Sequence, residues 1–313
     1  MRGFFKILWA ELVRSFIIMR RYWFASIISI GMGYATLVTL VYGLVFAAGS
    51  DSIRAMADNA INGILGFLIG AFAFGIVGMF TQGIQGMART GELEQVCLSP
   101  FGLVTNFLAR SFVMAVNSVI SCTVMILLVT ATVAKESLHW SPFATVVLLV
   151  LTYINLIGFG YMVGGLVLVF KYVGQIAVII RFSMIGLAIF ATEQVSQWPA
   201  LGRWFAHAMP VTDAAICLKY VLIQGQMRPV LDEAGQKVVQ EVVPVLDAQG
   251  AAVLDAAGSP MVEAVYALQP MSVFLHESFL FLVVSCVVWT VIGIACFRYL
   301  ENWSRDKGTL GTY

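Results

Sequence analysis

Residues 61–80 read Ile-Asn-Gly-Ile-Leu-Gly-Phe-Leu-Ile-Gly-Ala-Phe-Ala-Phe-Gly-Ile-Val-Gly-Met-Phe, twenty positions without a charged side chain. About 20 mainly apolar residues let an α-helix cross roughly 30 Å of hydrocarbon, and apolarity on every face marks a helix surrounded by apolar matter. Five more stretches share this character: Trp23–Ala48, Phe107–Ala134, Phe143–Phe170, Ile176–Thr192 and Val273–Phe297. The whole 313-residue chain agrees, being 60% apolar and 11% charged with a mean hydropathy of +0.91. A soluble domain is nearer 25% charged. The expected fold class is an all-α integral membrane protein with six transmembrane helices.

Composition excludes several function classes. A formal net charge of +1 does not suit a nucleic-acid binder. Five cysteines, none in a Cys-x-x-Cys pair, exclude a disulfide scaffold and an ordinary zinc site. The first apolar stretch is too long for a cleaved signal.

Lys and Arg near span ends set the orientation. With the N-terminus in the cytoplasm, the inner segments hold twelve of the 18 basic residues, among them Arg2, Lys6, Arg14, Arg20, Arg21, Arg89, Arg110 and Arg181. The chain is therefore expected in a cell (inner) membrane with both termini on the cytoplasmic side. Residues 1–22 should form an amphipathic interfacial helix. At 100° per residue Phe4, Phe5, Leu8, Trp9, Leu12, Phe16 and Met19 share one side, with Arg2, Lys6, Glu11, Arg14, Arg20 and Arg21 opposite.

The loop Thr81–Asn106 has a character of its own. It contains Arg89-Thr90-Gly91-Glu92-Leu93-Glu94-Gln95-Val96-Cys97-Leu98-Ser99-Pro100. Gly91 can interrupt a helix and Pro100 can close one. Within the cytoplasmic segment 82–100, a short helix between Gly91 and Pro100 should expose Glu92, Glu94 and Gln95, while Leu93, Val96 and Leu98 pack inward or on a partner.

These residues resemble the coupling segment of ABC-2 type transporter permeases, which carries a Gly-Thr-Leu-Glu-Gln-like motif and a following Pro. Gly91, Leu93, Glu94, Gln95 and Pro100 match, and Glu92 stands where Thr is common. The order of segments is also similar. After five spans (residues 23–197) comes an outer segment at 198–225 with Pro199, Pro210, Lys219 and Gly225, and Lys219 stands where Arg is frequent. A last span and tail occupy 273–313. The resemblance implies re-entrant outer helices, an outer gate at those four residues, and energy coupling through Arg89, Gly91, Glu92, Leu93, Glu94, Gln95 and Pro100. It also implies a separate ABC ATPase subunit holding ATP and Mg, with no cofactor in this chain, and a second permease copy or paralogue.

Absences agree with an ATPase in another polypeptide. There is no G-x-x-x-x-G-K-[ST] phosphate loop, no H-E-x-x-H and no G-x-S-x-G. Ionisable residues within the spans are scarce, which disfavours a carrier powered by its own proton or ion sites. Arg181 is expected to snorkel from the inner end of its span, and Asn117 and Asn155 to bond between helices. The small-x-x-x-small pairs Gly66/Gly70 and Gly160/Gly164 suit close helix packing, within one subunit or between two.

Residues 226–272 differ in kind. Leu-Asp-x-x-Gly recurs at Leu231–Gly235, Leu246–Gly250 and Leu254–Gly258, with valine-rich runs between the copies. Asp and Gly at turns between β-branched runs predict a small extracytoplasmic β-hairpin or meander. It could also dock an extracytoplasmic partner. The function expected from all of this is the transmembrane subunit of an ATP-driven exporter for a hydrophobic or amphipathic cargo, such as a drug, lipid or lipid-linked glycan. The alternative is a gradient-driven carrier or channel needing no ATPase.

Overall fold

The computed structural model describes residues 2–47, 53–100, 102–132, 139, 141–170, 173–192, 195, 198–229, 239–244, 262–266 and 268–307. Within them the helices are α1 (Arg2–Arg21), α2 (Trp23–Ala47), α3 (Ile53–Thr90), α4 (Glu92–Leu98), α5 (Gly102–Thr132), α6 (Pro142–Val169), α7 (Val173–Phe190), α8 (Ala200–Ala208), α9 (Thr212–Leu222) and α10 (Glu277–Asp306). Four short strands lie between α9 and α10: β1 (Met227–Pro229), β2 (Val239–Pro244), β3 (Val262–Tyr266) and β4 (Leu268–Pro270).

Among the described residues four helices are long and apolar enough to cross a membrane: Ile61–Thr90, Gly102–Leu128, Pro142–Val169 and Glu277–Asp306. The other two apolar stretches are also helical, as α2 and α7. The second stretch is longer than its apolar run. At 1.5 Å per residue the 38 residues of α3 span about 57 Å, nearly twice the hydrocarbon thickness. The polar residues after Phe80 therefore continue the helix instead of forming a loop.

α3 is the central helix, packed against α5, α6 and α7, while α10 lies along α6. An aromatic cluster ties four of them together. Phe80 of α3 meets Tyr161 of α6 edge-on at 4.7 Å and Phe107 of α5 at 5.8 Å, and Tyr161 meets Phe297 of α10 at 5.2 Å. The Tyr161 hydroxyl donates to the Val104 carbonyl at 2.7 Å, so its polar tip is satisfied within the core.

Glycines set the closest crossings. A methyl group at Gly66 would lie 2.5 Å from the Ala188 carbonyl oxygen, and one at Gly70 would lie 2.7 Å from Ile185 Cα, so α3 and α7 touch backbone to backbone. Gly158 and Gly293 do the same for α6 and α10, and Gly160 and Gly164 make room for Phe80 and Ile84. Both small-x-x-x-small pairs therefore serve packing within this chain.

α4 lies at one end of the bundle, between the end of α3 and the start of α5. At the opposite end α9 is buried along its whole length against α6, α10, α3 and α7. Two nested antiparallel ladders extend from that end. β1 pairs with β4, bringing Met227 opposite Pro270, and β2 pairs with β3, bringing Pro244 opposite Val262. The three Leu-Asp-x-x-Gly copies lie outside the described residues.

Candidate functional site

The candidate coupling segment begins at a break in a long helix. α3 runs through Thr90, then Gly91 adopts φ 73°, a left-handed conformation that glycine enters at little cost. α4 follows as two turns only, Glu92–Leu98. Ser99 is extended (φ −66°, ψ 146°), as the residue before a proline tends to be. Asn106 then donates to the Ser99 hydroxyl at 3.1 Å and to the Gly102 carbonyl at 2.8 Å, fixing the turn onto α5.

The short helix expected between Gly91 and Pro100 is α4, while the earlier part of the segment 82–100 belongs to α3, which runs to Thr90. Leu93 is buried at 1% exposure and anchors the helix, and Val96 is half-buried. Leu98 was expected to pack inward or on a partner; within this chain it is 86% exposed. Gln95 is exposed, as are Arg89, Gly91 and Pro100 around it, and Glu94 lies on the same helix.

Glu92 is not a free acidic knob. Its carboxylate accepts from Arg110 Nη2 at 2.7 Å, while Arg110 Nε donates to Glu11 of α1 at 3.0 Å. Arg110 Nη1 lies 2.8 Å from the Met87 sulfur of α3. One guanidinium therefore joins α1, α3, α4 and α5. The planar, forked donor set of arginine allows this, whereas a lysine ammonium would act as a point charge. The same contact corrects the N-terminal helix: Glu11, expected on its solvent side, faces the bundle. Ser15 follows it there, accepting from Asn117 of α5 at 3.1 Å. The opposite side of α1 presents Phe5, Trp9, Val13, Phe16 and Ile17 outward.

Arg110 was read from the sequence only as one inner basic residue. Its signal was position, because a charge several residues inside an apolar span needs a named partner. Glu11 left no comparable trace.

At the other end, each expected gate residue sits at a structural joint. Pro199 precedes the first turn of α8. The Pro210 carbonyl accepts from Asn155 at 3.1 Å, and Asn155 exchanges hydrogen bonds with Ser285 of α10 at 3.1 and 3.2 Å. The buried Lys219 ammonium donates to the Ala188, Ile189 and Ala191 carbonyls at 2.9, 2.9 and 2.8 Å. It thereby caps the C-terminus of α7, where carbonyls lack helical partners and the dipole favours a cation. Gly225 (φ 60°) and Gln226 (φ 62°) turn the chain from α9 into β1, and a methyl group at Gly225 would meet the His139 ring at 2.8 Å. His207 of α8 bonds Asp213 of α9 at 2.8 Å across the turn between them.

Arg181 does not snorkel. It lies at mid-length of α7 and is 3% exposed, donating to the Phe74 carbonyl at 3.0 Å and lying 3.7 Å over the Phe74 ring. Gly78 of α3 leaves the space its guanidinium occupies. Asn117 and Asn155 both bond between helices, as expected.

No family model and no curated protein matches this chain. The likeness to ABC-2 permeases rests on the coupling motif and on the order of segments.

Proposed function

We propose that this chain is the transmembrane subunit of an ATP-driven exporter of the ABC-2 type. It would be paired with a second permease subunit and with a separate ATPase that holds ATP and Mg. The observation that carries this proposal is the construction of α4. A short helix is anchored inward by Leu93, bolted to α1 and α5 through Arg110, and left with Gln95 and Leu98 facing outward. A rigidly mounted two-turn helix with an exposed apolar knob suits a groove on a moving partner.

On this reading α2 and α7 complete six spans, both termini are cytoplasmic in a cell membrane, and α8 and α9 are the re-entrant outer helices. Closure of the ATPase pair would push α4, and Arg110 would pass the displacement to α1 and α5. The outer segment would open by breaking the joints at Asn155, Lys219 and Gly225. The apolar interior suits a hydrophobic or amphipathic cargo, and the insert at 226–272 could receive an extracytoplasmic partner.

One observation favours the gradient-driven carrier as the rival. Arg181 is buried at mid-helix without a carboxylate partner among the described residues, and an intramembrane charge is a default candidate for ion or substrate handling.

The test is reconstitution with an ABC ATPase that co-purifies with this chain. Glu94→Lys and Leu98→Asp should each abolish transport and stimulated ATP hydrolysis while membrane insertion and elution volume stay unchanged. Normal ATP-driven transport by both well-expressed variants would overturn the assignment of α4. Transport by the chain alone, driven by an ion gradient and lost in Arg181→Gln, would favour the carrier.

A further inference from the structure

A cavity of about 740 Å³ opens between α1, α3 and α5. Its lining changes character along its length. Arg14, Glu11 and Arg110 stand at one end, and Asn117, Ser118 and Ser121 continue down α5. Phe72, Val113 and Met114 supply apolar wall. From Arg110 to Ser121 the rise along α5 is about 17 Å, close to half a hydrocarbon core.

Three features define what fits. First, most of the apolar window of α5 lies on the outside of the bundle, with only 22% of it buried, yet this outer helix carries an amide and two hydroxyls into the groove. Asn117 already spends one N–H on Ser15 at 3.1 Å, but its other N–H and the two hydroxyls are unfavourable facing bare acyl chains unless an oxygen-bearing partner meets them. Second, the charge at the mouth is only loosely engaged. Arg14 has a 56% exposed side chain and lies 3.7 Å from Glu11 Oε1, an oxygen that already accepts from Arg110 at 3.0 Å. Third, the outward aromatic face of α1 suits burial in the membrane interface, which places Arg14 at headgroup depth.

We propose that this groove holds one phospholipid of the surrounding leaflet. Its phosphodiester meets Arg14, its glycerol ester oxygens meet Asn117, Ser118 and Ser121, and one acyl chain lies against Phe72 and Met114. The site is distinct from α4 and independent of what drives transport. By lying between α1 and α5 beside the Arg110 joint, the lipid would brace the N-terminal helix.

The test is native mass spectrometry of the full chain titrated with palmitoyl-oleoyl-phosphatidylglycerol, dioleoylglycerol or glycerol phosphate. One phosphatidylglycerol should remain bound under conditions that strip dioleoylglycerol, and glycerol phosphate should not bind. Arg14→Gln should weaken retention about fivefold, the worth of one cation near an anionic headgroup. Ala71→Phe, which fills the groove from α3, should abolish retention. Leu280→Ala, on the exposed side of α10, should leave it unchanged and serve as the folding and bulk-lipid control. Equal retention of dioleoylglycerol, binding of glycerol phosphate as tight as that of the lipid, or full retention in both Arg14→Gln and Ala71→Phe would each overturn the proposal.

Discussion

Arg110 Nη2 donates to Glu92 Oε1 at 2.7 Å, joining the first residue of α4 to the ninth residue of α5. Because the same guanidinium also holds Glu11, the N-terminal helix and the short exposed helix cannot shift independently. Neither carboxylate is deeply buried, with side-chain exposures of 19% for Glu11 and 38% for Glu92, so the joint is open to water.

Replacing Arg110 by Met should destabilise the protein by about 1–3 kcal/mol, since two carboxylates lose one shared partner. The effect should be local. Hydrogen exchange of α1 and α4 amides should accelerate while α6 and α10 stay protected. Arg110→Lys should recover only part of the protection, because an ammonium reproduces the fork poorly.

Lys219→Met should cost about 2–4 kcal/mol by leaving three carbonyls at the end of α7 without a donor. Thermal unfolding in detergent measures this. A melting temperature equal to that of the unmodified protein would show that the cap is dispensable.

Gly66 and Gly63 lie one turn apart on α3 and should respond oppositely to alanine. At Gly66 the added methyl meets the α7 backbone, so Gly66→Ala should cost about 1–3 kcal/mol. At Gly63 nothing lies within 4 Å, and the helix propensity of alanine should make Gly63→Ala neutral or up to about 1 kcal/mol stabilising. Paired unfolding curves separate the two.

Asn155→Leu should loosen α9 from α6 and α10, because the Pro210 carbonyl loses its amide donor and Ser285 its partner. The expected cost is about 1–3 kcal/mol. Labelling of a cysteine placed at Thr212, now 1% exposed, should become faster in this variant.

Much of the scaffold was legible because it follows from local patterns. Apolar runs mark the helices in lipid-like surroundings, and Gly91 and Pro100 mark the break and turn that bound α4. Boundaries were less legible. The polar run after Phe80 reads as a loop, yet nothing between residues 81 and 90 stops a helix already nucleated over its preceding turns. At Leu98 the sequence left two alternatives open, because helical spacing tells which residues share a face, but not whether any element of the same chain covers it.

Local chemistry alone therefore settles the membrane character, the positions of the apolar helices, the break at Gly91 and the turn signals of the insert. It cannot pair Arg110 with Glu11 across 99 positions, seat Lys219 on the last carbonyls of α7, or turn Arg181 inward onto Phe74. Those outcomes depend on which helices become neighbours. In an apolar surrounding a charged side chain accepts whichever partner the packing brings within about 3 Å, so the tertiary arrangement, and not the residue type, chooses among snorkelling, capping and bridging.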